Sequence, residues 1–197
     1  VNASGSGDYT HIQWAIDNAS QGDTVYVEAE IYYENLIVNK TINLVGADSS
    51  NTIIDGGGNS DVILISARNV MVSHFGLTNS GSDNNYAAIH IINTEMCRID
   101  SNYIFNNSMG IHLSNSNDNL IVKNTCKINR KDSILVEGSR NFLEHNRCIF
   151  TRNGIKVSGS ENTISNNICN SNSYNGIIAS GDQNIISNNT CESNLLG

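Results

Sequence analysis

The sequence predicts an all-β fold, a single-stranded parallel β-helix with turns of about 22 residues. The main observation is an internal repeat over residues 88–197, in which a small residue and an apolar-x-apolar triplet recur five times. A period of this size is typical of a solenoid, because each unit buries its apolar face only by stacking on its neighbours. The repeats are spaced by 22, 23, 21 and 22 residues and begin at Ala88, Gly110, Ser133, Gly154 and Gly176.

The periodicity within each unit indicates strands rather than helices. Apolar and polar residues alternate in Ile111-His112-Leu113, which is the period of a β-strand. Polar clusters such as residues 114–119 lie between the apolar runs and suit turns, because Asn, Ser, Gly and Asp tolerate unusual backbone angles. At ~3.3 Å per residue, a unit of this length circles a core once as three short strands joined by bends.

The N-terminal region predicts a short helix that caps the solenoid. Over residues 10–19, an apolar face recurs with helical spacing, and Gly22 follows it. Such a cap shields the first turn of a solenoid from solvent. Strands are expected at 24–27, 36–38, 41–45, 53–56 and 62–65. We therefore expect one domain over 1–197, with the cap and less regular turns at 1–87 and regular repeats at 88–197.

Alignment of the repeats predicts three columns of stacked residues. Asparagines stacked along the axis are expected to hydrogen-bond to one another within a bend. The stacked cysteines are expected to be free, buried thiols, because their column holds Ile one turn earlier and no C-x-x-C or C-x-x-H metal spacing is present. Cys97 lies off the column and is also expected to be unpaired. The columns are Asn102, Asn124, Asn146, Asn167 and Asn189; Ile104, Cys126, Cys148, Cys169 and Cys191; and Ile99, Ile121, Leu143, Ile164 and Ile186.

Several segments resemble a known family of β-helices. Residues 8–19, 22–27, 33–38, 42–46 and 52–56 are similar to the opening of pectin-lyase-like right-handed parallel β-helices. The Gly-Ile-x-Val…Asn…Asn turns that follow resemble the repeats of the carbohydrate-binding and sugar-hydrolase group, which includes NosD-type periplasmic proteins and archaeal surface proteins. The resemblance covers nearly the whole chain and implies a right-handed solenoid. It implies no single activity, because the same scaffold hosts lyases, hydrolases, esterases, epimerases and non-enzymes.

The candidate functional residues lie in two outward-facing columns beside the core triplets. His90 and His112 should be immediate neighbours, with Glu137 one turn further along. The simpler interpretation is that these are solvated strand residues, with Glu137 and Lys156 forming a surface ion pair of little value. The first column contains His90, His112, Leu135, Lys156 and Ile178, and the second contains Ile92, Ser114, Glu137, Ser158 and Ser180.

Loops beside these columns supply further candidates. The loop at 78–87 is longer than its counterparts and carries Tyr86, a possible platform for stacking a sugar ring. Arg130 and Arg152 lie on equivalent loops and could bind sugar carboxylates or sulfates. The predicted substrate-binding residues are Tyr86, His90, His112, Arg130, Glu137, Arg152 and Lys156, of which His90, His112 and Lys156 are also candidates for catalysis.

Charge and composition limit the partners and the location. The formal net charge of −8 argues against nucleic acids and anionic membrane surfaces, and no apolar run is long enough for membrane insertion. We expect an extracellular, cell-surface or periplasmic protein. Residues 188–197 stop in full repeat pattern, which predicts either truncation from a longer β-helix or end-to-end self-association through an uncapped turn.

Three functions are consistent with this pattern. The first is a module that binds polysaccharide or another glycan, without an evident catalytic site. The second is part of a polysaccharide lyase, epimerase or hydrolase, although no column offers the paired carboxylates of a glycosidase. The third is a NosD-type role in periplasmic copper maturation, supported only by His90 and His112. No cofactor or metal is predicted, because neither calcium nor copper has a supporting ligand cluster.

Overall fold

The structure, a computed structural model, describes residues 1–83 and 85–196 and is a parallel β-helix. The predicted fold class is confirmed. Helix α1 spans Ile12–Asn18, somewhat shorter than the predicted 10–19. The strands are β1 Thr24–Val27, β2 Ile31–Tyr33, β3 Leu36–Val38, β4 Asn43–Gly46, β5 Ile53–Asp55, β6 Ile63–Ile65, β7 Met71–Ser73, β8 Gly76–Thr78, β9 Ala87–Ile92, β10 Arg98–Asp100, β11 Tyr103–Phe105, β12 Met109–Ser114, β13 Leu120–Val122, β14 Thr125–Lys127, β15 Asp132–Glu137, β16 Phe142–Glu144, β17 Arg147–Ile149, β18 Asn153–Ser158, β19 Thr163–Ser165, β20 Ile177–Ser180 and β21 Ile185–Ser187.

Three parallel sheets run along the solenoid, and successive turns add their strands to these sheets in chain order. Sheet 1 contains β1, β4, β7, β10, β13, β16, β19 and β21. Sheet 2 contains β2, β5, β8, β11, β14 and β17, and sheet 3 contains β3, β6, β9, β12, β15, β18 and β20. Corresponding residues of successive repeats therefore pair directly, as Ile99 does with Ile121.

The interior is filled by the predicted aliphatic and thiol columns. Ile99, Ile121, Leu143 and Ile164 are completely buried. Cys148 is completely buried too, and this burial raises the pKa of its thiol well above the usual value. Cys126 and Cys169 are buried too, as predicted, whereas Cys191, also predicted to be buried, is half-buried. Cys97, off the column, is a free and buried thiol.

The predicted asparagine column forms a hydrogen-bonded ladder at the bend between sheets 1 and 2. The backbone N–H and the side-chain Nδ2 of Asn102 both donate to Oδ1 of Asn124, at 3.1 and 3.0 Å. The same pair of bonds recurs at each later step to Asn189. A second ladder, not predicted, turns the chain from sheet 3 into sheet 1 and consists of Asn119, Asn141, Asn162 and Asn184.

Helix α1 covers the first turn, as predicted, with Ile12, Ala15 and Ile16 buried against the core. A carboxylate from another part of the chain supplies its N-terminal cap. Glu34 accepts hydrogen bonds from the backbone N–H groups of Ile12 and Gln13, at 2.8 and 3.0 Å. These donors have no partner within the helix, and a negative charge is favourable at this end.

Candidate functional site

The outer face of sheet 3 brings the two predicted histidines together. His90 of β9 pairs with His112 of β12, and their rings stack with centroids 4.6 Å apart and planes at 10°. This spacing is that of adjacent strands, ~4.8 Å, so the stacking follows directly from the register. Glu137 of β15 pairs with Ser114, the residue two positions after His112.

These side chains belong to one continuous hydrogen-bonded row. His90 Nδ1 lies 3.1 Å from Asp61 Oδ2, and His90 Nε2 lies 2.9 Å from Ser114 Oγ. His112 Nε2 lies 3.0 Å from the same Ser114 Oγ and 2.8 Å from Glu137 Oε2. We call Asp61, His90, Ser114, His112 and Glu137 the polar row. It spans four successive turns and begins and ends on a carboxylate.

The expectation of solvated histidines is wrong. Their side chains face outward but are only 12% exposed for His90 and 7% for His112, and their stacked rings cover each other. Burial lowers the pKa of His112, and nearby His90 lowers it further, while the hydrogen bond to Glu137 acts in the opposite direction. His112 is therefore neutral at pH 7, with Nε2–H donating to Glu137. Its Nδ1 is buried without a hydrogen-bond partner among the described residues.

Two members of the polar row were not among the sequence candidates. Ser114 occupies one of the predicted outward columns, but nothing in that column separates it from Ser158 or Ser180. Asp61 stands in a polar bend just before β6, where an aspartate is unremarkable. Its Oδ1 accepts the backbone N–H of Ala87 at 2.7 Å, which orients the carboxylate toward His90.

The remaining sequence candidates lie elsewhere. Arg130 and Arg152 line a pocket of about 410 Å³ with Phe150, at the bend that leads from sheet 2 into sheet 3. The Arg152 guanidinium also lies over the ring of Tyr174, 5.9 Å from its centroid. Lys156 is exposed and is separated from His112 by the intervening strand β15.

Tyr86 is half-buried at the end of the long loop, directly before β9. Its ring lies so close to Gly81 that a Cβ built there would fall 2.4 Å from Tyr86 Cδ2. The loop is also tied to the next turn by Ser80, whose backbone N–H donates to Asn107 Oδ1 at 2.9 Å. Asn84, in the middle of this loop, lies outside the described residues.

A groove lies at the opposite edge of sheet 3, directly after β6, β9 and β12. Its volume is about 490 Å³. Asn115, one residue beyond Ser114, lines it and donates from Nδ2 to Asn93 Oδ1 at 2.9 Å. Arg68 supplies a cation there and pairs with Glu95 at 3.4 Å. The lining residues are Ser66, Arg68, Asn93, Thr94, Glu95, Asn115 and Asn117.

A family model described as "Periplasmic copper-binding protein (NosD)" matches residues 16–197. No curated protein sequence matches the chain significantly. None of the helices in residues 1–83 and 85–196 has the length and apolar character needed to cross a membrane.

Solved structures of polysaccharide-active proteins share the fold and confirm the resemblance to pectin-lyase-like β-helices. An alginate lyase from Paenibacillus sp. str. FPU-7 matches with a TM-score of 0.70 and 16% identity, over 92% of this chain and 73% of the lyase. A pectin methylesterase in complex with a hexasaccharide matches with a TM-score of 0.65 and 14% identity, over 92% of this chain and 65% of the esterase. A GH87 α-1,3-glucanase catalytic domain in complex with nigerose gives 0.68 and 17%, over 94% of this chain and 44% of the glucanase. This chain thus spans just under two thirds of the esterase and less than half of the glucanase domain.

Copper, named in the family's description, does not fit the described residues as a resident ion. Its usual ligands are thiolates and imidazoles. The Cys148 thiol is completely buried in the core, and this burial raises its pKa and so disfavours the thiolate that a metal ion would need. Both ring nitrogens of His90 and Nε2 of His112 already take part in hydrogen bonds, and the fourth nitrogen, His112 Nδ1, is buried. Throughout residues 1–83 and 85–196, no group of three or more His, Cys, Asp or Glu side chains is arranged to hold a metal ion.

Proposed function

The chain belongs to the NosD family, and we propose that it is a glycan-binding β-helix module of the periplasm or cell exterior that binds on the outer face of sheet 3. The observation that carries this proposal is the polar row. Five polar side chains from successive turns are held in one hydrogen-bonded arrangement on an otherwise regular surface. Such preorganisation favours binding of a polar ligand, because the side chains lose little further entropy on contact.

The surroundings of the polar row suit an extended, hydroxyl-rich ligand. The groove beside Asn115 borders one edge of sheet 3, and its lining is mostly Asn, Ser and Thr side chains. At the other edge, Arg130 and Arg152 lie with the exposed ring of Phe150. Aromatic rings stack on sugar faces, and arginines bind carboxylate or sulfate groups in bidentate fashion. A chain of sugars lying across the sheet would reach both edges.

Support also comes from proteins with this fold. The pectin methylesterase and the glucanase were solved with a hexasaccharide and with nigerose, respectively. Those ligands belong to those proteins, and the identities of 14% and 17% carry only the fold to this chain. They support the proposal by showing that a β-helix of this architecture can hold a saccharide.

Calorimetric titration against a panel of neutral, uronic and sulfated oligosaccharides tests the proposal. We expect binding by the wild-type chain and a loss of at least about tenfold in affinity for Glu137→Gln and His90→Ala, which disrupt the polar row. The matched control is Ser158→Ala, in the column of Ser114 and Glu137 but outside the row, which should bind as the wild type does. Absence of binding across the panel, or equal affinities for all four proteins, would refute the proposed surface.

A further inference from the structure

We infer that Ser114, His90 and Asp61 form a nucleophilic triad that hydrolyses carboxylic esters, with acyl groups on glycan hydroxyls as the natural substrate class. The choice of substrate rests on the proposed function, whereas the hydrolytic chemistry rests on the geometry of the three side chains. No sequence motif marks the triad, since its members come from three successive turns and lie 29 and 24 residues apart.

The connections are those that acyl transfer requires. A carboxylate oxygen of Asp61 lies 3.1 Å from His90 Nδ1, and the opposite ring nitrogen, Nε2, lies 2.9 Å from Ser114 Oγ. In a serine–histidine–aspartate triad, the carboxylate orients the imidazole through Nδ1–H, and Nε2 removes the proton of the hydroxyl. Triads are recognised by this geometry and these roles rather than by fold or chain order.

The fixed carboxylate determines which nitrogen of His90 carries the proton. Asp61 Oδ1 accepts the backbone N–H of Ala87 at 2.7 Å, so Oδ2 remains directed at His90 Nδ1. A carboxylate can only accept, and His90 therefore donates from Nδ1–H. Its Nε2 is then the acceptor for the hydroxyl proton of Ser114, which is the tautomer that a general base needs.

His112 packs beside the nucleophile and the general base. Its Nε2 lies 3.0 Å from Ser114 Oγ and 2.8 Å from Glu137 Oε2, and the single hydrogen on this nitrogen is donated to Glu137. Its ring stacks on that of His90, 4.6 Å between centroids. Because the His112 ring is neutral, it does not repel the positive charge that forms on His90 during the reaction.

The reaction balances with water as the only co-reactant. Ser114 Oγ attacks the ester carbonyl carbon and transfers its proton to His90 Nε2, forming a tetrahedral oxyanion. Collapse breaks the bond to the alkoxy oxygen, which takes the proton from His90 and leaves as the glycan hydroxyl. A water molecule then gives a proton to His90 and attacks the acyl-serine, and the second collapse releases the carboxylic acid and restores Ser114.

The same column contains two serines that lack these partners. Ser114 comes two residues after His112, whereas Ser158 comes two residues after Lys156 and Ser180 two residues after Ile178. The Ser180 hydroxyl donates to the carbonyl oxygen of Val157 at 3.3 Å. Because all three serines sit at corresponding positions of sheet 3 strands, they differ mainly in their neighbours, which makes Ser158 a matched control.

The first test is covalent labelling of the whole chain with a fluorophosphonate, which reacts only with an activated serine hydroxyl, followed by peptide mass spectrometry. We expect the label on Ser114, none on Ser158, and a labelling rate lowered by about 10³–10⁴ in Asp61→Asn. Labelling of wild-type protein needs no variant to fold. A label distributed over surface serines, or no label, would overturn the triad.

Hydrolysis of p-nitrophenyl acetate and of an O-acetylated oligosaccharide gives the second test. Ser114→Ala should reduce the rate to that of buffer, Ser158→Ala should leave it unchanged, and circular dichroism should show both variants folded. Hydrolysis that survives Ser114→Ala refutes the assignment. Glycan affinity, measured for Ser114→Ala and for the wild type, separates the two proposals. Glycan binding with no labelling of the wild type overturns only the triad. Labelling of the wild type with no glycan binding overturns only the proposed ligand.

Discussion

Replacement of Asn124 by Ala should destabilise the solenoid through its interior ladder. The Asn124 side chain is completely buried and makes five hydrogen bonds. Its Oδ1 accepts two from Asn102, one from the backbone N–H and one from Nδ2. Its Nδ2 donates to the carbonyl oxygens of Ile99 and Val122 and to Asn146 Oδ1, at 2.9, 3.0 and 3.1 Å.

The cost depends on which groups keep another partner. After truncation, Asn102 Nδ2 still donates to Val72 at 3.1 Å, and the Val122 carbonyl still accepts from Ser101 at 3.1 Å. The backbone N–H of Asn102 loses the acceptor that the structure gives it and stays buried. An orphaned buried donor costs about 1–3 kcal/mol, and each other lost bond about 0.5–1 kcal/mol net. We therefore expect a loss of roughly 3–7 kcal/mol in the free energy of unfolding.

Urea denaturation monitored by far-ultraviolet circular dichroism measures this loss from the midpoint and the m-value. Asn189→Ala is the matched control, because Asn189 accepts the same two bonds from Asn167 but is half-exposed, so water can replace it. We expect about 1 kcal/mol for this variant. A loss below about 1 kcal/mol for Asn124→Ala, or equal losses for the two variants, would refute the view that the ladder stabilises the fold by satisfying buried backbone groups.

Acidification should destabilise the wild type more than His112→Gln. Because burial lowers the pKa of His112, the unfolded chain binds the proton at a higher pH than the folded chain does, so stability falls as the pH drops below the usual value of 6.5. Parallel curves of unfolding free energy against pH for the two proteins, from about pH 7.5 to about pH 5, would contradict this. A thiol-reactive dye should leave Cys148 unmodified in the folded chain and modify Cys191, whose pKa burial raises to about 11, only slowly; rapid reaction of Cys148 would show an open core. Arg140→Ala should leave the urea midpoint of unfolding almost unchanged although Arg140 lies 2.8 Å from Asp118, because the pair is at the surface. A clearly lowered midpoint would contradict this view of the pair.

The fold could be predicted because a solenoid places corresponding positions of successive repeats in contact. The column from Ile99 to Ile164 is visible in the sequence for the same reason that it packs in space. Contacts that do not follow the period were missed. Glu34 caps helix α1 from 22 residues away, and nothing in its neighbourhood in the sequence distinguishes it from a solvated glutamate.

The candidate site was predicted only as far as it follows the register. The pairing of His90 with His112 is a consequence of the repeat and was correct. Their burial was not predictable, since alternation along a strand distinguishes the inside from the outside but does not reveal whether outward side chains cover one another. The position of Asp61 depends on the path of a bend, which the repeat does not define.

The architecture explains how the polar row can arise without disturbing the fold. Stability comes from inward columns and from ladders such as that at Asn124, whereas each turn can vary its outward residues freely. Parallel register places outward residues of adjacent turns ~4.8 Å apart, close enough for stacking and for diagonal hydrogen bonds between long side chains. Three turns that each contribute one polar residue are then sufficient to align Asp61, His90 and Ser114. The same columns carry Leu135 and Ile178 at other turns of the same sheet, so the polar row is a local property of its turns and not a requirement of the fold.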